Sequence, residues 1–359
     1  MRKLAFLLSI VVIFAVFVLP ASAEESVEGY LSEFESILPE EMSGIAEGGE
    51  EIVEKFSLKG LLIEIFSSAT GEGSAVVAFF LTLVGSLAVS VLASSCHESF
   101  AKQTEAAVGV IIALALFPTV SAALSSVSRS LSELSEFFTA LTPIAVGITA
   151  LGGGATTAGV QASGMYTALT VIGGVGKSLF ISLATFGLAV AMLSSLGNSS
   201  AVAVGKGIKG LFNWAVGIFS TTITAVFSLQ TLIASAHDSA VMRTARYMAS
   251  GLIPVVGSTV SGALATLAAG LSYAKSIVGG GSVAAVISMA VSPLVMLLLY
   301  RLALTVATGI AGLVGAEGAE KIFTSYRFAL DMTVSVYVLS VVVYLFQIIL
   351  FLRIGVALE

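Results

Sequence analysis

The chain has one cysteine, Cys96, two histidines, His97 and His237, and only 11% charged residues among its 359. A single cysteine cannot close an internal disulfide. Cys96-His97-Glu98 offers three adjacent donors, and three neighbours in sequence cannot close a tetrahedral metal site by themselves. His237-Asp238 is no better placed. No His-Glu-x-x-His, no Gly-x-Ser-x-Gly and no paired intramembrane aspartates occur, so the constellations of a metalloprotease, a serine hydrolase and an intramembrane aspartyl protease are missing. No basic patch interleaved with aromatics points to nucleic acid. The chain therefore reads as non-enzymatic, with no cofactor.

Soluble domains carry about 25% charged residues. Here 57% of residues are hydrophobic, and the mean hydropathy is +1.05. That much apolar surface needs lipid to cover it. The 36 glycines fit the same class, because small residues let membrane helices approach closely. The reading is all-α: a polytopic transmembrane protein with re-entrant or broken helices.

Three regions follow from the order of composition along the chain. Met1-Arg2-Lys3, the apolar run Leu4–Leu19 and Ala21-Ser22-Ala23 have the layout of a signal peptide cleaved after residue 23. Residues 24–74 are acidic: 13 of the 22 acidic residues lie between Glu24 and Glu72, against Lys55 and Lys59. Behind a signal peptide this region is expected outside the cytoplasm. Leu31, Phe34, Ile37 and Leu38, then Ile52, Val53 and Phe56, recur at helical spacing and predict two short amphipathic helices. Residues 75–359 form the membrane domain.

A bilayer crossing needs about 20 apolar residues. Ala75–Ala93, Ala107–Ser125, Ser178–Leu196, Leu211–Phe227, Val283–Tyr300 and Phe328–Leu352 meet or approach that length. Phe137–Leu151 with Pro143, the Gly/Thr-rich Gly159–Gly176, and Gly251–Gly270 with Pro254 and Gly257 read as broken or re-entrant. Arg301 interrupts an apolar tract from Val283 to Val314 that is too long for one crossing, so the helix either projects from the bilayer or breaks there. Asp331 falls one turn into its span, near the interface. Val127, Leu131, Leu134, Phe138 and Leu141 form an apolar stripe opposite Ser128, Ser132, Ser135 and Glu136, as in a helix lying at the interface or against neighbouring spans. Basic residues divide too evenly between the loops to orient the chain.

Residues 107–210 and 215–320 look like an internal repeat. Ala107-Val108-Gly109, Pro143, Tyr166 and Gly173-Gly174 align with Ala215-Val216-Gly217, Pro254, Tyr273 and Gly279-Gly280-Gly281. Duplicated architectures with interrupted helices are common in transporters, which keeps a stand-alone permease for a small solute as an alternative function. Low-complexity Ala/Gly/Val sequence also aligns with itself easily. Gly173-Gly174-Val175-Gly176-Lys177-Ser178 ends like a phosphate-binding loop, but Val171 stands where the motif needs its first glycine. Asp238, Arg243 and Arg246 lie on a segment that reads as a solvated helix between spans or as a polar helix facing a pore or partner.

Leu229–Ala263 reads LQTLIASAHDSAVMRTARYMASGLIPVVGSTVSGA. With Gln230, Asp238, Arg243-Thr244-Ala245 and Ile253-Pro254-Val255-Val256-Gly257, it resembles the stage III sporulation protein AE family of endospore formers. The layout of leader, acidic region and many spans is similar too. The resemblance implies a polytopic, export-gate-like subunit in the mother-cell membrane around the forespore. Its implied partners are sibling proteins of the same operon, including a secretion-type ATPase and ring-forming subunits, and a forespore channel protein. A homo-oligomer is open. The resemblance brings no catalytic residues. The candidate pore- or partner-facing residues are Asp238, Arg243, Arg246, Pro143, Pro254 and Gly257.

Overall fold

The computed structural model describes residues 27–39, 42, 58–71, 73–94, 101–152, 155–176 and 257–353, with isolated positions between 185 and 230. The leader, Ile52–Phe56, Asp238, Arg243, Arg246 and Pro254 lie outside the described residues, as do most of Ser178–Leu196 and parts of Leu211–Phe227. Among the described residues the chain is helical throughout, with no strand.

The elements in order are α1 (27–37), α2 (Leu58–Gly71), α3 (Gly73–Ser94), α4 (Ala101–Leu151), α5 (Ala155–Ala168), a π-helix (Leu169–Gly176), α6 (Gly257–Leu313) and α7 (Glu317–Arg353). Among the described residues four helices, α3, α4, α6 and α7, are long and apolar enough to cross a membrane. α1 follows the expected pattern: Phe34 and Leu38 sit in the core while Glu28, Ser32 and Glu33 are exposed.

α6 and α7 form an antiparallel hairpin. Its turn is set by Gly315 at φ 71°, a conformation open to glycine and strained for side chains with a Cβ. The Ala316 N–H donates to the Ala311 carbonyl at 2.9 Å and the Gly315 N–H to Gly312 at 3.4 Å, capping the last turn of α6. Glu317 and Glu320 then open α7, where acidic side chains favour the positive end of the helix dipole. α4 runs parallel to α7, since Ala113 meets Tyr326, Ser130 meets Tyr337 and Phe138 meets Tyr344. α3 packs along α4, antiparallel to it, and its Phe79 ring lies 5.0 Å from that of Tyr300 on α6.

Pro143, expected to break its helix, does not; Pro254, the other such proline, lies outside the described residues. α4 passes through Pro118 and Pro143, and α6 through Pro293. A proline removes one helical hydrogen bond and costs about 3 kcal/mol in an isolated helix. Around Pro143 that cost is opposed by burial of Leu141, Ile144, Ala145 and Ile148. Irregularity appears at Gly159–Gly176 as expected, but as a π-helix over Leu169–Gly176. At the aligned glycines the two halves differ: Gly173-Gly174 are π-helical, whereas Gly279-Gly280-Gly281 lie inside α6.

At roughly 1.5 Å per residue α3 is about 33 Å long, which matches a hydrocarbon core of about 30 Å. By the same measure α4 is about 77 Å, α6 about 86 Å and α7 about 56 Å. Near the membrane normal, these helices outrun the lipid. Because α3 is antiparallel to α4, the excess lies past the Gly73 end of α3. α1 reaches the same region, for a Cβ on Gly147, near the far end of α4, would run into the Tyr30 ring.

Candidate functional site

Three buried tyrosines of α7, Tyr326, Tyr337 and Tyr344, share one face of the helix and point into the bundle. Their hydroxyls must find partners there, because an unsatisfied buried polar group costs about 1–3 kcal/mol. Two find them at backbone beside a proline. Pro293 has no N–H, so it leaves the Met289 carbonyl without its helical donor. Ser130 of α4 donates to that carbonyl at 3.2 Å. The Ser130 and Tyr337 hydroxyls are 2.7 Å apart, and Tyr337 also donates to the Ala290 carbonyl at 3.3 Å. One junction thus ties α4, α6 and α7 at the proline of α6. Higher on α4, Tyr326 donates to the Ala113 carbonyl at 2.6 Å, next to the Leu114 carbonyl that Pro118 leaves free.

The third tyrosine opens a polar seam. The Tyr344 hydroxyl is buried and faces Ser135, without closing a sound hydrogen bond among the described residues. The π-helix packs here: a Cβ on Gly173 would come 2.7 Å from Ser135 Oγ. One turn on, Gln347 Nε2 is 3.5 Å from Gln230 Oε1, and Gln230 in turn fills the space over Gly164 of α5. Thr149 Oγ1 donates to Gln161 Oε1 at 2.6 Å. The seam is uncharged and lies between α4, α5, the π-helix and α7. π-Helical turns are rare and frequently mark functional sites.

Among the described residues, charge enters the bundle at two places. Arg301 of α6 donates to Asp331 of α7, with side-chain exposures of 48% and 38%. The pair sits beside Tyr300, and therefore level with Phe79 inside the length of α3. Arg301 does not break its helix, and it meets Asp331 across the hairpin. An ionisable group at membrane depth is usually paired or wet, and this pair satisfies both members. The second place is Lys275, 7% exposed, whose Nζ is 5.5 Å from the Phe351 ring centre.

The outer surface separates into two levels. Level with α3, Leu81 and Val84 of α3, Ile111, Leu114 and Phe117 of α4, and Leu302 and Val306 of α6 are exposed apolar side chains, beside the exposed Arg301 and Thr305 of α6. Past the Gly73 end, α4 exposes Arg129, Glu133, Glu136 and Thr139, and α5 exposes Thr156, Ser163 and Thr170. Three ionisable residues on one exposed face would each cost about 3 kcal/mol in lipid. Along α4 the exposed face thus suits lipid level with α3 and water beyond it. The stripe Val127, Leu131, Leu134, Phe138 and Leu141 is buried against the bundle, as its spacing predicts.

Of the residues singled out from sequence, Pro143 lies within α4 and Gly257 is the first residue of α6. The structure brings neither into the tyrosine junction or the Arg301–Asp331 pair. Sequence reasoning missed Ser130, Tyr337 and Pro293. The tyrosine spacing in α7 was the available signal, since intervals of three and two helical turns repeat one face. Among the described residues no three His, Cys, Asp or Glu side chains gather as metal ligands.

A sequence model of one protein family, described as stage III sporulation protein AE, matches residues 38–357. No curated protein and no solved structure matches the chain significantly.

Proposed function

Because the chain belongs to the stage III sporulation protein AE family, and so has a role in stage III of sporulation, we propose that it is a non-enzymatic membrane subunit of a channel between mother cell and forespore. The family match carries this reading. Four membrane-length helices and an uncharged polar seam inside the bundle are in keeping with it. The subunit sits in the mother-cell membrane around the forespore. Its acidic 24–74 region and the polar level of the bundle meet partners in the space between the two membranes. Those partners are sibling subunits, among them an ATPase and ring-forming proteins, and a forespore channel protein.

The test is deletion of the gene in its host, followed by complementation from a promoter active only in the mother cell. Engulfment should complete, late forespore transcription should fail, and mother-cell expression should restore it. Normal late forespore transcription in the deletion strain would sink the proposal. Solute uptake by the purified protein alone in liposomes would instead favour a stand-alone permease.

A further inference from the structure

The two ends of the bundle can be placed by level. α3 is antiparallel to α4, and α4 is parallel to α7, so α3 runs in the same direction as α6. The ring contact between Phe79 and Tyr300 sets the two helices in register. Fifteen residues separate Phe79 from Ser94, and fifteen separate Tyr300 from Gly315. The hairpin turn therefore lies level with the Ser94 end of α3. Ionisable residues gather there: Lys102 and Glu105 at the start of α4, and Glu317, Glu320 and Lys321 at the start of α7. The apolar part of α4 opens directly after them, at Ala106. Charge is costly inside lipid, so a membrane boundary falls at this level.

The same reckoning joins α1 to the other end of α7. Phe138 meets Tyr344, and nine residues on from these lie Gly147 and Arg353. Gly147 is where Tyr30 of α1 docks, too closely to leave room for a Cβ. α1 is therefore level with Arg353. Asp331 pairs with Arg301, beside Tyr300 and so level with Phe79. From that level α7 runs on to Arg353 for about 33 Å, whereas α3 reaches back to Gly73 over about 9 Å. Both α1 and Arg353 thus lie past the Gly73 end of α3.

Among the membrane-length helices α3 is the one that fits a single crossing, about 33 Å long against about 30 Å of hydrocarbon. Its two ends then lie on opposite faces of the membrane. We propose that α1 and the Arg353 end of α7 share one face, and that the α6–α7 turn at Gly315 shares the other with Ser94 and Ala101. This separation rests on helix geometry alone; which face is external rests on the placement of residues 24–74 proposed above. With that placement, the turn is cytoplasmic and the end of α7 borders the space between the two membranes. A partner in that space reaches α1 and Arg353, and a cytoplasmic one reaches Leu313, Val314, Glu317 and Lys321, all exposed at the turn.

The test uses the full chain with Cys96→Ser, made in vegetative cells with its operon siblings, so that the outer face of the membrane is open to reagent. Glu28→Cys, Glu317→Cys and Arg353→Cys, all at exposed positions, are treated with a membrane-impermeant maleimide in intact protoplasts and again after lysis. Glu28→Cys and Arg353→Cys should label in intact protoplasts, and labelling of Glu317→Cys should rise at least about tenfold on lysis. Any outcome that groups Glu317→Cys with either of the other two would overturn the proposal. Labelling of Glu317→Cys alone before lysis would uphold the two faces and overturn instead the external placement of residues 24–74.

Discussion

α4 and α7 run side by side in the same direction, yet their outward faces are inverted. α4 is apolar level with α3 and charged beyond it; α7 is charged level with α3 and apolar beyond it. By length and composition both helices could cross a membrane. The difference teaches that hydropathy averages a helix over faces with different neighbours. The outward face of α4 suits lipid level with α3 and water beyond it. On α7 the charged groups level with α3 are paired, Asp331 with Arg301 and Glu317 with Lys321.

The largest break in this comparison should come from charge placed on the lipid-facing part of α4. Leu114→Arg should cost about 3 kcal/mol and strip the protein from the membrane fraction. Glu133→Arg, on the same helix five turns on, should stay within about 0.5 kcal/mol. Equal losses by quantitative immunoblot would erase the distinction between the two levels.

Next comes the pair that lets α7 be charged at that depth. Arg301→Ala strands Asp331, and Asp331→Ala strands Arg301. Each should cost about 2–3 kcal/mol, and the double variant should recover most of the loss. Additive losses in a double-mutant cycle would show that the pair does not act as a unit.

A smaller effect sharpens the account of the tyrosine junction. Ser130→Ala should cost about 1–2 kcal/mol, because it leaves the Met289 carbonyl and Tyr337 short of a partner. In a Pro293→Ala background, residue 293 again donates to Met289, and the Ser130→Ala cost should fall by roughly half. Thermal aggregation midpoints in detergent measure it; an undiminished cost would separate Ser130 from the proline.

The smallest change concerns α1. Gly147→Ala drives a methyl toward the Tyr30 ring, and about 1 kcal/mol is expected. Tyr30→Ala should remove that cost, read by protease sensitivity of the N-terminal region.

Much of the fold was legible because its signals are local. The span Ala75–Ala93 became Gly73–Ser94, and the Val127–Leu141 stripe faces the core. The last span was read from Phe328, whereas α7 begins at Glu317, because its first turns are polar and gave no hydropathy signal. What could not be read is relational. Arg301 and Asp331 are 30 residues apart and meet only through the hairpin turning at Gly315. Ser130 matters because of a proline on another helix, and Tyr344 because the irregular Gly/Thr-rich segment packs against it as a π-helix. Continuity through Pro143 depends on burial around it, which is a property of the bundle and not of the segment.

The two-level bundle is tested most directly by thiol labelling in protoplasts, on the full chain with Cys96→Ser. Arg129→Cys and Glu136→Cys would be compared with Ile111→Cys and Leu114→Cys, using a membrane-impermeant maleimide. A thiol reacts as its thiolate and needs water, so the first pair should label at least about tenfold faster than the second. Equal labelling of all four, or faster labelling of Ile111→Cys and Leu114→Cys, would contradict the placement of lipid around α3 and of the polar level outside it.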